Sequence, residues 1–301
     1  MNVIEINRLS KRYGQVRALD EVSFSVARGE LFGLIGPDGA GKTTLFRLLT
    51  TLISPDSGAA SVEGLDTVSD YRRIRETVGY MPGRFSLYPD LTVEENLNFF
   101  AALFGTHVQD AYDLVAPIYR QIEPFKNRRA GKLSGGMKQK LALSCALIHR
   151  PSVLFLDEPT TGVDAVSRSE FWDMLANLKT KGITMLVSTP YMDEAQRCDR
   201  IALCNEGRIL GIDTPAGIVS RFDSRLYAVS AGNMFDLLQT ARTFEGVAAC
   251  YPFGSTHHIV ADGNFDAAAL TGYLQANGLA DVRIEQRVPT IEDVFIKLMQ
   301  R

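Results

Sequence analysis

Cysteine is scarce in this sequence of 301 residues: there are four, Cys145, Cys198, Cys204 and Cys250, and no two stand at the CxxC spacing of a zinc ligand pair. Neither a disulfide framework nor a structural metal is expected, and a reduced, cytosolic setting fits. An excess of one charge is also lacking. The 32 basic and 35 acidic residues give a formal net charge of −3, which excludes a dominant electrostatic mode of nucleic-acid binding. Hydrophobic runs are short, such as Leu141 to Ile148, well below the roughly 18 apolar residues of a membrane helix. The chain is therefore expected not to span a bilayer, and Met1 to Ser10 lacks the basic region and apolar core of a secretory signal. The composition that remains, 46% hydrophobic and 22% charged, is that of a globular chain long enough for two domains.

Apolar runs of strand length at Leu31 to Ile35, Val153 to Leu156, Thr184 to Val187 and Ile201 to Leu203 alternate with segments of helical periodicity. That alternation predicts an α/β domain built on a parallel sheet. Asp213-Thr-Pro215 breaks the pattern, and the short helical stretch Pro215 to Arg221 is expected to close a first domain, 1–221. Over 222–301 the order is strand (Leu226 to Ser230), helix (Met234 to Thr243), strand (Val247 to Pro252), strand (His257 to Val260), helix (Phe265 to Ala276) and strand (Val282 to Gln286). This β-α-β-β-α-β order predicts a small α+β, ferredoxin-like domain. A last helix, Ile291 to Met299, starts at Thr290 with Asp293 in the place of the usual Glu of a capping box. His257 and His258 are adjacent, so they face opposite sides of a strand and are read as structural.

The strand Leu31 to Ile35 runs into GPDGAGKTT, comprising Gly36, Pro37, Asp38, Gly39, Ala40, Gly41, Lys42, Thr43 and Thr44, and then into a helix with Leu45, Leu48, Leu49 and Leu52. Strand, glycine loop and helix in that order make a Walker A phosphate loop. Its glycines let successive N–H groups point inward at phosphate oxygens, and the helix N-terminus reinforces them. Lys42 is placed between β- and γ-phosphates, Thr43 offers a hydroxyl to Mg²⁺, and Thr44 lies at the α-phosphate. Further on, VLFLDEP puts Asp157 and Glu158 at the tip of a buried strand. Open α/β sheets bind ligands at such strand ends, so Asp157 suits the Mg²⁺ shell and Glu158 an attacking water. Paired carboxylates there also suit a solvated turn, and it is the phosphate loop that favours the catalytic reading.

Between these motifs stands LSGGMKQK, Leu133 to Lys140. With it the chain resembles an ABC ATPase, whose LSGGxxQ signature is more specific than a phosphate loop. Ser134, Gly135 and Gly136 open an apolar helix that carries Gln139, and its free N–H groups and positive dipole end make an anion site facing outward. In the family two such domains pack head to tail, each signature closing the nucleotide held by the other's Walker A loop. The resemblance covers Asn2 to roughly Arg221. It places Tyr13 of KRYGQVRAL as the aromatic that stacks on adenine, although a surface or core tyrosine is the plain alternative. It places Asp164 of TTGVD at the contact across the dimer. Leu87 to Phe100 is similar to the helical subdomain that grips a membrane subunit, and equally reads as a helix with a packed apolar face. The tail PTIEDVFIKLM resembles that of the ATPases of daunorubicin-resistance-type multidrug exporters.

Two family positions differ. Gly83 in YMPG replaces the glutamine whose carbonyl approaches Mg²⁺ and the attacking water, and Pro190 in STPYMDEA replaces the histidine that contacts the γ-phosphate. Proline offers no donor at all. The resemblance thus implies an ATP- and Mg²⁺-dependent ATPase subunit of an exporter, peripheral on the cytoplasmic face of the membrane. Its own Walker A site is expected to be hydrolysis-impaired. Its expected partners are transmembrane permease subunits and a second ABC ATPase chain, and the altered motifs favour a chain distinct from this one. A nearly inactive nucleotide-occluding module and a soluble ABC protein without a membrane subunit are the alternatives.

Overall fold

The computed structural model describes residues Met1–Met299. The chain divides into two compact units at Pro215/Ala216. In the first unit the order is β1 (Asn2–Tyr13), β2 (Val16–Ala27), β3 (Leu31–Ile35), α1 (Lys42–Leu49), β4 (Ser57–Val62), β5 (Leu65–Asp66), α2 (Tyr71–Thr77) and β6 (Val78–Met81). It continues through α3 (Val93–Leu103), α4 (Tyr112–Tyr119), α5 (Gly135–Leu147), β7 (Val153–Asp157), α6 (Ala165–Thr180), β8 (Thr184–Thr189), β9 (Arg200–Asn205) and β10 (Arg208–Asp213).

A six-stranded sheet in the order β10-β9-β3-β8-β7-β6 forms the centre of this unit, parallel except for the β10 edge. Every residue of β3, β7 and β8 is buried, as parallel strands covered on both faces require. β3 pairs with β8 and β9, strands that lie far later in the chain. The carboxyl ends of β3, β7 and β8 therefore emerge side by side on one edge, which is where the site lies. A second sheet, β2-β1-β4-β5, is antiparallel and shares a core with the first. There Phe24 stacks on Phe32 with centroids 5.1 Å apart, and Phe46 of α1 meets Phe155 edge-on at 6.0 Å.

The helical part is set by its own caps. Thr92 accepts from the Glu95 N–H at 3.2 Å while Glu95 accepts from the Thr92 N–H at 2.8 Å, a capping box that starts α3. One turn on, the fully buried Asn96 donates to the carbonyls of Tyr88 (3.1 Å) and Thr92 (2.9 Å), fixing the segment that leads into the helix.

The expected strands at 31–35, 153–156, 184–187 and 201–203 are β3, β7, β8 and β9. The sequence reading passed over β1, β2, β4, β5, β6 and β10. β1 and β2 carry many polar residues, and β6 has only four, so the hydrophobic pattern is weak in all three.

The second unit runs through α7 (Pro215–Ser220), β11 (Arg225–Ser230), α8 (Met234–Ala241), β12 (Val247–Phe253), β13 (Thr256–Ala261), α9 (Ala267–Ala276), β14 (Arg283–Arg287) and α10 (Ile291–Met299). All neighbours in its sheet, β12-β13-β11-β14, are antiparallel, and α8 and α9 pack on it through Leu237, Ala241, Leu270 and Leu274. The divide at Pro215 falls before the expected boundary at 221 and places α7 with the second unit, where the segment after α7 is tied to the chain's last helix. The ammonium of Lys297 lies 4.7 Å from the Phe222 ring centroid, donates to Ser224 Oγ at 2.8 Å and pairs with Asp223.

One buried polar network fastens α10 to the sheet of this unit. Asp293, fully buried, accepts from Tyr251 OH (2.9 Å) and bonds His258 Nδ1 (2.6 Å), while its other oxygen accepts from the Thr290 N–H and hydroxyl, both at 2.7 Å. Burial works against the Asp293 charge, but hydrogen bonds from His258, Thr290 and Tyr251 outweigh it and hold the carboxyl below its usual range. Phe253 stacks on the His258 ring at 3.9 Å. His257, on the other side of the strand, bonds the Met234 carbonyl at 2.7 Å.

Candidate functional site

The loop after β3 can turn as it does only with glycine at two positions. A Cβ at Gly36 would lie 2.2 Å from the Cys204 carbonyl oxygen, and one at Gly41, whose φ is +93°, would lie 2.3 Å from that of Ala18. Lys42 then begins α1 with its ammonium folded back under the loop. It donates to the carbonyls of Gly36 (2.8 Å) and Pro37 (2.9 Å) and lies 3.1 Å from Glu158 Oε1. The side chain is almost wholly buried, so these three oxygens stand where water would otherwise solvate the charge.

Asp157 ends β7 and Glu158 follows in the left-handed region at φ +49°. That turn is held by Ser188 of β8, whose carbonyl (3.1 Å) and hydroxyl (2.9 Å) both accept from the Glu158 N–H. The same hydroxyl donates to Asp157 Oδ1 at 2.7 Å. Burial pushes the Asp157 carboxyl up, against the hydrogen bonds it receives from Ser188 and Thr43 and the attraction of Lys42. A buried carboxylate and a threonine hydroxyl in mutual contact are hard oxygen donors. Such a set fits Mg²⁺, which takes one or two protein oxygens and fills its remaining positions with water and phosphate.

The structure brings most of the residues singled out in the sequence together. A cleft of about 500 Å³ is lined by Tyr13, Val16, Arg17 and Ala18, by Asp38 to Thr44, and by Glu158 and Glu206. Tyr13 is 46% exposed, with its ring open to a flat ligand. Gly83 sits beside the paired carboxylates: a Cβ there would lie 3.0 Å from the Asp157 carbonyl oxygen and 3.8 Å from the Glu158 Cβ. Pro190 follows Thr189, whose carbonyl accepts from the Gly36 N–H at 3.3 Å.

Two supporting residues were missed in the sequence. Ser188 is one. The other is the buried Glu194, which accepts from the Thr189 hydroxyl (2.5 Å), the Thr160 hydroxyl (3.1 Å) and Arg168 Nε (3.1 Å), and so fixes the strand end before Pro190. Their signal was membership in the STPYMDEA stretch, already read for Pro190 alone.

None of Ser134, Gly135, Gly136, Gln139 and Asp164 lines the cleft. Ser134 caps α5 by accepting from the Met137 N–H at 3.3 Å, and its exposed start presents free N–H groups to the outside. Gly136 is packed close: a Cβ there would lie 2.8 Å from Ser167 Oγ. Asp164 caps α6 through the Ser167 N–H at 3.0 Å, and that bond holds its carboxyl below the usual range. A separate apolar groove of about 260 Å³, lined by Leu52, Tyr80, Met81, Pro82, Leu87, Phe100 and Phe104 among others, opens beside the helical part. Phe85, Tyr88 and Phe99 are exposed in the same stretch of chain.

A glycine loop closing on a buried lysine, opposite paired carboxylates at the ends of parallel strands, defines a P-loop nucleotide-binding domain. Residues 19–161 match the ABC transporter family. The chain is 38% identical over 304 residues to the probable multidrug ABC transporter ATP-binding protein YbhF of Escherichia coli (strain K12), covering 99% of this chain and 52% of that protein. It thus spans about half the length of that relative. It is 36% identical over 309 residues to the Nod factor export ATP-binding protein I of Burkholderia orbicola (strain AU 1054), covering 99% of this chain and 97% of that protein. The structure of cbiO1 from Clostridium perfringens, described as part of the ABC transporter complex cbiONQ, superposes with a TM-score of 0.65 at 25% identity, covering 73% of this chain and 91% of that one. The chain belongs to the family of ABC transporter ATP-binding proteins.

Proposed function

We propose that this chain is the ATP-hydrolysing subunit of an exporter, working as one half of a head-to-tail ATPase pair at the cytoplasmic face of separate transmembrane subunits. The observation that carries the reading is the convergence of Lys42, Thr43 and Glu158 on one cleft that has an open aromatic, Tyr13, at its other end, with the buried Asp157 bonded to Thr43 behind it. ATP laid along the cleft has its base at Tyr13 and its triphosphate over Gly39 to Thr44. Lys42 exchanges Glu158 for γ-phosphate oxygens, which frees Glu158 to orient and deprotonate the attacking water. The transferred phosphoryl group passes through a loose transition state, so positioning and charge stabilisation are the main work. Thr43 and Asp157 are the residues to hold Mg²⁺, which when bound neutralises charge on the phosphate oxygens.

The outward-facing signature at the start of α5 supports pairing, since an anion site that does not line its own cleft suits the nucleotide of a second chain. The apolar groove with its exposed aromatics supports a membrane subunit as the other partner.

Gly83 and Pro190 support impaired hydrolysis at the chain's own loop. Neither offers a side-chain donor or acceptor beside the reacting centre, and losing one such group costs about 10² to 10³ in rate. The intact signature then serves a competent site on a distinct partner ATPase. The same two residues favour the second reading, a nearly inactive module that occludes nucleotide.

Steady-state Mg·ATP hydrolysis by the purified chain, with nucleotide binding measured alongside and Lys42→Ala as blank, separates these readings. Binding with turnover at the level of the blank is the expected result. Robust turnover that rises with protein concentration would mean a competent homodimer and would discard the asymmetric assignment. Failure to co-purify with membrane subunits from native membranes would discard the transporter assignment.

A further inference from the structure

We infer that Glu206 is a ribose-reading residue of the nucleotide cleft: its carboxylate accepts hydrogen bonds from the 2′- and 3′-hydroxyls and sets a preference for ribonucleotides. This rests on the nucleotide reading of the cleft given above.

Position along the cleft carries the argument. Glu206 and Gly207 form the two-residue turn between β9 and β10, with Asn205 paired to Arg208 and φ values of +47° and +77°. The turn is clamped on the wall of the cleft. The Gly207 N–H donates to the Ala40 carbonyl at 3.2 Å, its carbonyl accepts from the Asp20 N–H at 2.9 Å, and a Cβ on it would lie 2.7 Å from the Ala18 carbonyl oxygen. Ala18 in turn lies against Gly41 of the phosphate loop, while Val16, two residues before it, pairs with Tyr13. The wall therefore runs from Tyr13 and Val16, through Ala18 and the Glu206 turn, to Ala40 and Gly41. A nucleotide with its base on Tyr13 and its phosphates in the loop has its sugar at the level of Glu206.

Chemistry agrees with position. A carboxylate is repelled by a triphosphate, so at this place it suits the only hydrogen-bond donors the sugar has, its hydroxyls, as carboxylates on ribose do in dinucleotide sites. The side chain is available. Arg17, which lines the same cleft, and Arg208, two residues on, are both committed to Asp20, at 2.6 Å each. No hydrogen bond or ion pair engages Glu206 among the described residues. An internal control sharpens the contrast. The chain uses a second Glu-Gly turn, Glu63-Gly64, with φ values of +53° and +74°, and there the carboxylate is bonded to Arg28 at 2.5 Å. Glutamate is not a favoured residue for such a turn, and Glu206 has no structural partner to account for it.

The test is calorimetric titration of the full chain with ATP and with 2′,3′-dideoxy-ATP. Both ligands carry the same charge, so repulsion between Glu206 and the phosphates cancels in the ratio of their Kd values. The wild-type chain is expected to prefer ATP by about tenfold or more, the range of hydrogen bonds to a charged acceptor. Glu206→Gly, which relieves the left-handed backbone and preserves the turn, is expected to bring the ratio to one. Glu206→Gln, which keeps a neutral acceptor, is expected to lie between. A wild-type ratio of one, or a ratio unchanged in Glu206→Gly, would overturn the ribose contact while leaving the nucleotide site standing. Failure of the wild-type chain to bind either ligand would overturn the nucleotide reading, and this inference with it.

Discussion

The two units bury polar groups to opposite ends. In the first unit, Lys42, Asp157, Ser188, Thr189 and Glu194 are buried around the carboxyl ends of the central strands, and Lys42 lies on an open cleft where a ligand could take the place of its partners. In the second, the buried Tyr251, His258 and Asp293 and the exposed Thr290 at the start of α10 are satisfied by one another. Hydrogen bonding alone does not distinguish a working site from a structural clasp. The difference is whether the partners are replaceable: Lys42 is held by two loop carbonyls and a carboxylate at an open cleft, and the fully buried Asp293 by three side chains and a backbone N–H.

Substitutions at the two networks test that contrast, beginning with the largest effect. Lys42→Ala is expected to lower ATP affinity by about 10² or more while leaving the melting temperature close to wild type, because the site's charge is aimed at a ligand. A large loss of stability with ATP affinity intact would place Lys42 with the structural groups. In the opposite direction, Gly83→Gln with Pro190→His is expected to raise turnover by about 10², read in the same steady-state assay. Pro190→His should act first, since the 3.0 Å approach of a Cβ at 83 to the Asp157 carbonyl obliges the strand end to shift.

In the second unit, Asp293→Asn is expected to cost about 2 kcal/mol of stability in denaturant titration at neutral pH, with ATP affinity unchanged. The pH dependence follows from the sign of the shift. Asp293 titrates below its unfolded value, so its contribution is complete above that value and is lost as pH falls through the folded one. The stability gap between wild type and Asp293→Asn should therefore close in acid. A gap constant from neutral pH down to acid unfolding would mean that the charge of Asp293 contributes nothing. Smallest of the set, Thr92→Ala removes the α3 capping box and is expected to cost about 1 kcal/mol, seen as a modest drop in the denaturation midpoint.

Local chemistry was legible in the sequence, and pairing between distant segments was not. Lys42 and Thr43 could be read because a phosphate loop is a continuous stretch whose strand and helix announce themselves. Asp157 and Glu158 could be read because a run of five buried residues ends at them. The placement of β3 between β8 and β9 depends on contacts across more than half the chain, and no periodicity encodes it. The small strand β6 was hidden for a related reason: four residues hold too little pattern, and it exists because β7 is there to pair with it. Ser188 and Glu194 act through the groups they hold, so their place in the STPYMDEA stretch was the one mark they carried. In the second unit, by contrast, Thr290 and Asp293 showed the start of α10 directly, while the arrival of His258 and Tyr251 at the same carboxylate required the sheet.

An ammonium already shared among Gly36, Pro37 and Glu158 is a poor target for short anions. Orthophosphate or sulfate can displace one or two of those oxygens, but it cannot also reach the N–H groups farther along the loop. A polyphosphate tail does both at once. A loop whose lysine is held by its own oxygens thus discriminates by length: small anions meet an ammonium that is already coordinated, and a chain of linked phosphates offers more oxygens to replace those partners.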